Sequence, residues 1–198
     1  MTRLWGLMPA LLLTGCAVLK GGDEPVVMRL SPVFAANQTQ LAAAPSIAVA
    51  AVQARGLSGA SRYAYVDAAA PGVIRQAATF FWEEAPGTVL ERALVAGLRT
   101  RFQAVTGPQL SIAADRRLIT VLDRFEEVTG GQAQAVVAFD ATLVAQGKAL
   151  WAGRYCGTAP VAAGDGTSRA RAFAAAVEMA VGALVQDVAA GTVSAAPC

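Results

Sequence analysis

Two stretches of this 198-residue chain carry a helical period, and the long stretch between them alternates like strands. In the first, Leu90, Leu94, Leu98 and Phe102 recur every four residues, while Arg92, Arg99 and Arg101 fall mostly off that stripe. This pattern predicts an amphipathic helix. Pro86 suits its first turn, Glu83 and Glu84 stand near its positive end, and Gly107-Pro108 closes it. In the second, Phe173, Val177, Val181, Leu184 and Val188 form a core face. That helix begins at Thr167 or Ser168, after the turn Gly164-Asp165-Gly166, and Gly191 ends it.

Between the helices the pattern predicts a β-meander. Leu118 to Val128 is a strand, Gly130-Gly131 a turn, Ala133 to Val144 a strand, Gln146-Gly147 a turn, and Lys148 to Val161 a strand. In the middle strand Ala135, Val137, Phe139, Ala141 and Leu143 share one face, with Gln134, Asp140 and Thr142 on the other. A strict two-residue turn sets Phe139 opposite Leu122 but Phe125 opposite Val136, on the wrong face, so either the register differs or Phe125 packs on a second layer. Upstream, Val26 to Leu30, Ser46 to Gln53, Tyr63 to Val66 and Val73 to Thr79 read as shorter strands, the last two broken by Pro71-Gly72. Strands, helix, antiparallel strands and helix in that order predict an α+β domain: a mixed, mainly antiparallel sheet with two long helices packed on it.

The first residues follow another logic. Arg3 supplies a charge, Leu4 to Leu13 form an apolar run of about ten residues, and the stretch is far short of a bilayer span. Leu13-Thr14-Gly15-Cys16 resembles a bacterial lipobox, in which cleavage falls between Gly15 and Cys16 and Cys16 carries lipid. The chain thus divides into a leader over residues 1–15, a lipidated N-terminus and tether with a short strand over 16–44, and a single domain over 45–198. No later stretch reads as both long enough and free enough of charge to span, so attachment rests on lipid at Cys16. The resemblance to lipoproteins of two-membrane bacteria implies a destination as well: by their sorting rule Ala17, in place of an aspartate, favours the periplasmic face of the outer membrane.

Composition narrows the chemistry. Formal net charge is +2, with no basic stripe, which argues against a nucleic-acid partner. Much of the 55% hydrophobic content is alanine. The chain has no histidine, which excludes Ser-His-Asp and Cys-His catalysis and His-bearing zinc sites. With Cys16 committed to lipid, Cys156 and Cys198 remain in an oxidising compartment and are a candidate disulfide. The alternative is two thiols, with Cys198 on a frayed tail. Glu83-Glu84 and Glu126-Glu127 are adjacent carboxylate pairs, but strand neighbours point to opposite faces, so a helix start and a solvated strand edge account for them. Gly130-Gly131-Gln132 reads as a hairpin turn, and Gly164-Asp165-Gly166-Thr167-Ser168 as a turn and helix cap. No catalytic residue, metal cluster or cofactor motif emerges. Phe80-Phe81-Trp82 leaves two readings open: plain core packing, or a partner or lipid contact through Phe81 or Trp82.

Three pieces together resemble the ABC-type transport auxiliary lipoproteins, a family that includes paraquat-inducible protein C-like members. They are the lipobox with its short tether, the segment Phe80-Phe81-Trp82-Glu83-Glu84-Ala85-Pro86 running into a helix, and the strand pair followed by Lys148-Ala149-Leu150-Trp151 and an alanine-rich helix. The family's aromatic-x-Trp-x-Glu-Pro segment is matched with Ala85 before the proline and an extra glutamate. The resemblance implies a non-enzymatic envelope lipoprotein with a fold like the TolB N-terminal domain. Its implied partners are a mammalian-cell-entry (Mce) type substrate-binding protein and an ABC permease and ATPase that move lipids or hydrophobic molecules. A different class, an assembly lipoprotein that chaperones an outer-membrane barrel or activates a peptidoglycan synthase, shares a compact α+β domain on a short tether.

Overall fold

A computed structural model describes residues 24–35, 44–110 and 112–193. Its backbone centres on β7 (Arg116–Thr129), a 14-residue strand with neighbours along both edges. On one edge β8 (Gln134–Ala145) pairs antiparallel along nearly its whole length, and β9 (Lys148–Pro160) continues the meander. The opposite edge is shared in segments. β2 (Ile47–Val49), β3 (Gln53–Ala54) and β4 (Arg62–Asp67) lie parallel to successive parts of β7. β5 (Ile74–Trp82) runs antiparallel to β4 and holds β1 (Val26–Met28) parallel at the sheet edge, while β6 (Val105–Thr106) is parallel to β2. The α+β class holds, but the sheet is mixed rather than mainly antiparallel. Short strands returning on β7's second edge form three parallel ladders, and β1 on β5 and β6 on β2 add two more, against three antiparallel ones.

The register conflict in the meander is settled by a bulge. Val128 pairs with Gln134, leaving residues 129–133 between them, so the ladder shifts by one residue from the two-residue turn and Phe125 faces Val137. An irregularity between Leu122 and Arg124 then returns Leu122 to Phe139. The extra residue, Asp123, lets Leu122 and Phe125 point to the same face, and both are fully buried. The second turn is tight, with Gln146 and Gly147 both at positive φ (50° and 76°), the geometry that joins twisted strands directly.

Both helices cover that one face. α1 (Pro86–Arg99) starts with proline at N1 and buries Leu90, Leu94 and Leu98. It ends before the Gly107-Pro108 expected from its period. The chain must leave the helix so that Val105-Thr106 can pair with Ile47-Ala48, and Phe102 is buried from a non-helical position. α2 (Gly166–Ala190) starts a residue or two before the expected Thr167 or Ser168, because Asp165, read as part of the turn, is its cap: the carboxylate accepts from the Ser168 N–H at 2.7 Å, while Gly191 closes the helix as expected with φ of 70°. By length and hydropathy α2 could cross a membrane, contrary to the sequence expectation. Here its Phe173, Val177, Val181 and Leu184 are fully buried in the shared core.

α2 comes unusually close to the sheet and to α1. A Cβ on Gly157 of β9 would lie 1.9 Å from the Ala176 carbonyl oxygen, and one on Gly97 of α1 would lie 2.7 Å from Val181 Cγ1. Alanines at 172, 176 and 180 make that approach feasible, and all three are buried.

Candidate functional site

Strand alternation at the end of β5 separates the aromatic triplet. Trp82 is 3% exposed and lies under the helices, its ring centroid 5.0 Å from Phe173, 5.4 Å from Tyr63 and 5.5 Å from Phe125. Phe81 points to the helix-free side, half-buried beside its register partner Val27, with the Arg62 guanidinium 5.4 Å from its ring centroid. Trp82 therefore packs the core, and an outward contact from this segment falls to Phe81.

Beyond Trp82 the chain turns into α1 beside the strap that follows β1. Arg29 donates two hydrogen bonds to Glu83, at 2.5 and 2.6 Å, and Arg92 pairs with Glu84 at 2.5 Å. The Arg29 hydrogen bonds hold the Glu83 carboxyl below the usual range, and Glu83 raises the Arg29 guanidinium in turn. Between strap and helix lies a cleft of about 370 Å³, lined by Met28, Leu30 and Val89 as well as these pairs. Its charges are neutralised one against another, so it is a mostly polar, ion-paired recess rather than a reactive group.

The second carboxylate pair is not at a solvated strand edge. Glu126 and Glu127 are 6% and 4% exposed. Glu127 faces the helices, where Tyr63 donates its hydroxyl hydrogen bond and Arg169 of α2 donates at 3.0 Å to the same oxygen. The Arg169 guanidinium also lies 4.4 Å from the Phe80 ring centroid and 5.2 Å from that of Tyr63. Burial, then the Glu127 carboxylate, push the Tyr63 hydroxyl well above its ordinary range. Glu126 faces the other side, in an ion pair with Arg124 at 2.6 Å. No acid/base partnership is available between them, because each is already committed.

The helix-free face carries a second charged group around the bulge. Arg154 reaches Asp123 at 2.6 Å and Asp140 at 3.4 Å, and Arg55 approaches the same two carboxylates at 3.8 and 3.9 Å. Hydrogen bonding to Asp123 raises the Arg154 guanidinium. Midway along β9, on its helix-covered face, Tyr155 donates at 2.9 Å to the buried Asp187 of α2, and burial raises that tyrosine too. Sequence alone missed these groups because the partners lie 14 or more residues apart, with no local pattern joining them.

Gly15, Cys16 and Cys198 lie outside the described residues, so neither the lipobox nor the second cysteine of the candidate disulfide is placed. Cys156 sits on β9 opposite Ala138, on the helix-free side. Among the described residues no three His, Cys, Asp or Glu side chains come together to hold a metal.

Comparison with known proteins gives this geometry a family. The model of the ABC-type transport auxiliary lipoprotein component matches residues 29–189. A crystal structure of a Xanthomonas campestris protein superposes with a TM-score of 0.75 at 17% identity, covering 84% of this chain and 95% of that one. The crystal structure of an uncharacterised protein gives 0.61 at 13% identity, covering 83% and 98%. The PelC dodecamer from Paraburkholderia phytofirmans gives 0.42 at 15% identity, covering 71% and 89%. No curated protein sequence matches. At these identities the first two structures speak for the fold alone. The family match, spanning strap, sheet and both helices, is the stronger finding: the chain belongs to the ABC-type transport auxiliary lipoprotein family.

Proposed function

We propose that this protein is a lipid-anchored, non-enzymatic subunit of an Mce-type ABC system that moves lipids or other hydrophobic molecules across the envelope. Acylated Cys16, freed by removal of residues 1–15, holds it on the periplasmic face of the outer membrane. Residues 16–44 lead from that anchor through β1 into the domain, whose architecture we read as akin to the TolB N-terminal domain. The observation that carries the reading is the family match over residues 29–189. The lipobox and the absence of histidine agree with it: the residue with assignable chemistry is an anchor, and the compensated charges around Glu127 and Asp123 are built to hold shape.

Phe81 is the outward contact in this reading, standing between Val27 and Arg62 beside the strap. A photoreactive residue at Phe81 in the full chain should crosslink in cells to an Mce-type protein or a permease. The same residue at exposed Ala175 on α2 should not. Crosslinking only to a barrel or a peptidoglycan synthase would transfer the protein to the assembly class.

The Cys156–Cys198 bridge belongs to the same proposal. Val193 packs on Gly153, and five further residues reach at most about 17 Å, against about 10 Å along β9 from Gly153 to Cys156. Non-reducing peptide mapping should find the two cysteines joined; alkylation of Cys198 without reductant would refute the bridge.

A further inference from the structure

The end of the sheet where β7 begins is both basic and apolar. Leu110 and Ile112, in the loop before β7, are 54% and 58% exposed, and Leu150, just after the β8–β9 turn, is 50% exposed. Leu110, Ile112, Arg116 and Arg117 line one cleft of about 550 Å³ whose floor is Ala48 to Ala51. The two turns are neighbours through the sheet, since Arg117 pairs with Val144, which pairs with Ala149 beside Lys148. Arg116, Arg117 and Lys148 make no ion pair among the described residues. The nearby carboxylates are already engaged: Asp115 accepts from the Ser46 amide and hydroxyl, and Glu91 accepts from Gln109 and the Val52 amide.

We propose that this end is an interfacial docking surface for a bilayer carrying anionic phospholipid. Aliphatic side chains at turn tips, ringed by long unpaired cations, are what an acyl–headgroup boundary accepts, while the cations meet the negative surface. An alanine-floored cleft with guanidinium groups at its mouth suits an acyl chain under an anionic head. The inference does not depend on which transporter the protein serves.

Flotation tests it, using the full chain with Cys16→Ser so that no acyl anchor contributes. The probes are vesicles of phosphatidylcholine alone, or with about a third phosphatidylglycerol. Each of the three cations near an anionic surface contributes about fivefold in affinity, so phosphatidylglycerol should tighten binding about a hundredfold at low salt. Arg116→Glu/Arg117→Glu should remove about thirtyfold or more of this, and high salt should do the same. Leu110→Ser/Ile112→Ser should weaken binding to both vesicles, with circular dichroism unchanged in each variant. The uncleaved leader adds the same background to all. Binding that ignores phosphatidylglycerol, or is unmoved by either double substitution, overturns the proposal. It would leave this end to an acidic protein face instead.

Discussion

Glu127 shows how little of an interior polar group is written in its neighbourhood. Beside Glu126 on a strand it reads as solvated, yet its carboxylate is 4% exposed and joins β4, β7 and α2 through Tyr63 and Arg169. Strand alternation did indicate that the two glutamates face opposite ways. It could not indicate that an arginine 42 residues on would descend from α2 to meet one of them. Burying such a pair is costly, but removing one partner costs more, because the other stays in place uncompensated. Glu127→Leu should therefore destabilise by about 3 kcal/mol, the low end for a buried pair because the Arg169 side chain keeps 17% exposure. Glu127→Leu/Arg169→Met should recover much of that loss. Urea unfolding of the three proteins checks both statements, and a single substitution with no effect would remove the staple from the account.

At the scale of elements, legibility followed locality. α2 was readable at its C-terminal end through Gly191, and to within a residue or two at its start, where Asp165 and not Thr167 or Ser168 takes the cap, because both signals lie within the segment. β7, β8 and β9 were readable because alternation and glycine turns are also local. The end of α1 was not, since Phe102 extends the four-residue spacing beyond the point where Val105 must join β2. The bulge at Asp123 was visible only as a conflict between two aromatic positions. Close approach of α2 to β9 is the element-level feature with the sharpest test. Gly157→Ala would place a methyl 1.9 Å from the Ala176 carbonyl oxygen, which the backbone must move to relieve. Overpacking of this kind costs about 1–3 kcal/mol, and a backbone obstacle belongs at the upper end. Gly182 has open space at the same position, so Gly182→Ala should be neutral or stabilising in the same thermal melts.

The whole molecule is a helix-covered sheet with charge distributed around its periphery, and its stability should depend on pH accordingly. Glu83, Asp115 and Asp165 all titrate below their ordinary values, through hydrogen bonds from Arg29, Ser46 and the Ser168 amide respectively. A carboxylate depressed in the fold binds fewer protons than in the unfolded chain. Its contribution is therefore present above the unfolded value and is lost as pH falls through the folded one. The melting temperature should decline as pH falls through the ordinary carboxylate range near about pH 4. Asp165→Asn, which still caps α2 but does not titrate there, should flatten part of that decline. An unchanged profile in that variant would contradict the assigned cap. The parallel ladders of β2, β3 and β4 on β7 escaped the sequence because they join segments some 60 to 70 positions apart, yet they fix where strap, cleft and Phe81 sit.

Purification of the full chain from detergent-solubilised native envelopes, followed by mass spectrometry of what accompanies it, tests the central claim most directly. The account predicts an ABC permease and ATPase with an Mce-type protein, recovered with a chain that begins at acylated Cys16. Recovery of a barrel-assembly factor or a peptidoglycan synthase without any transporter component would contradict it.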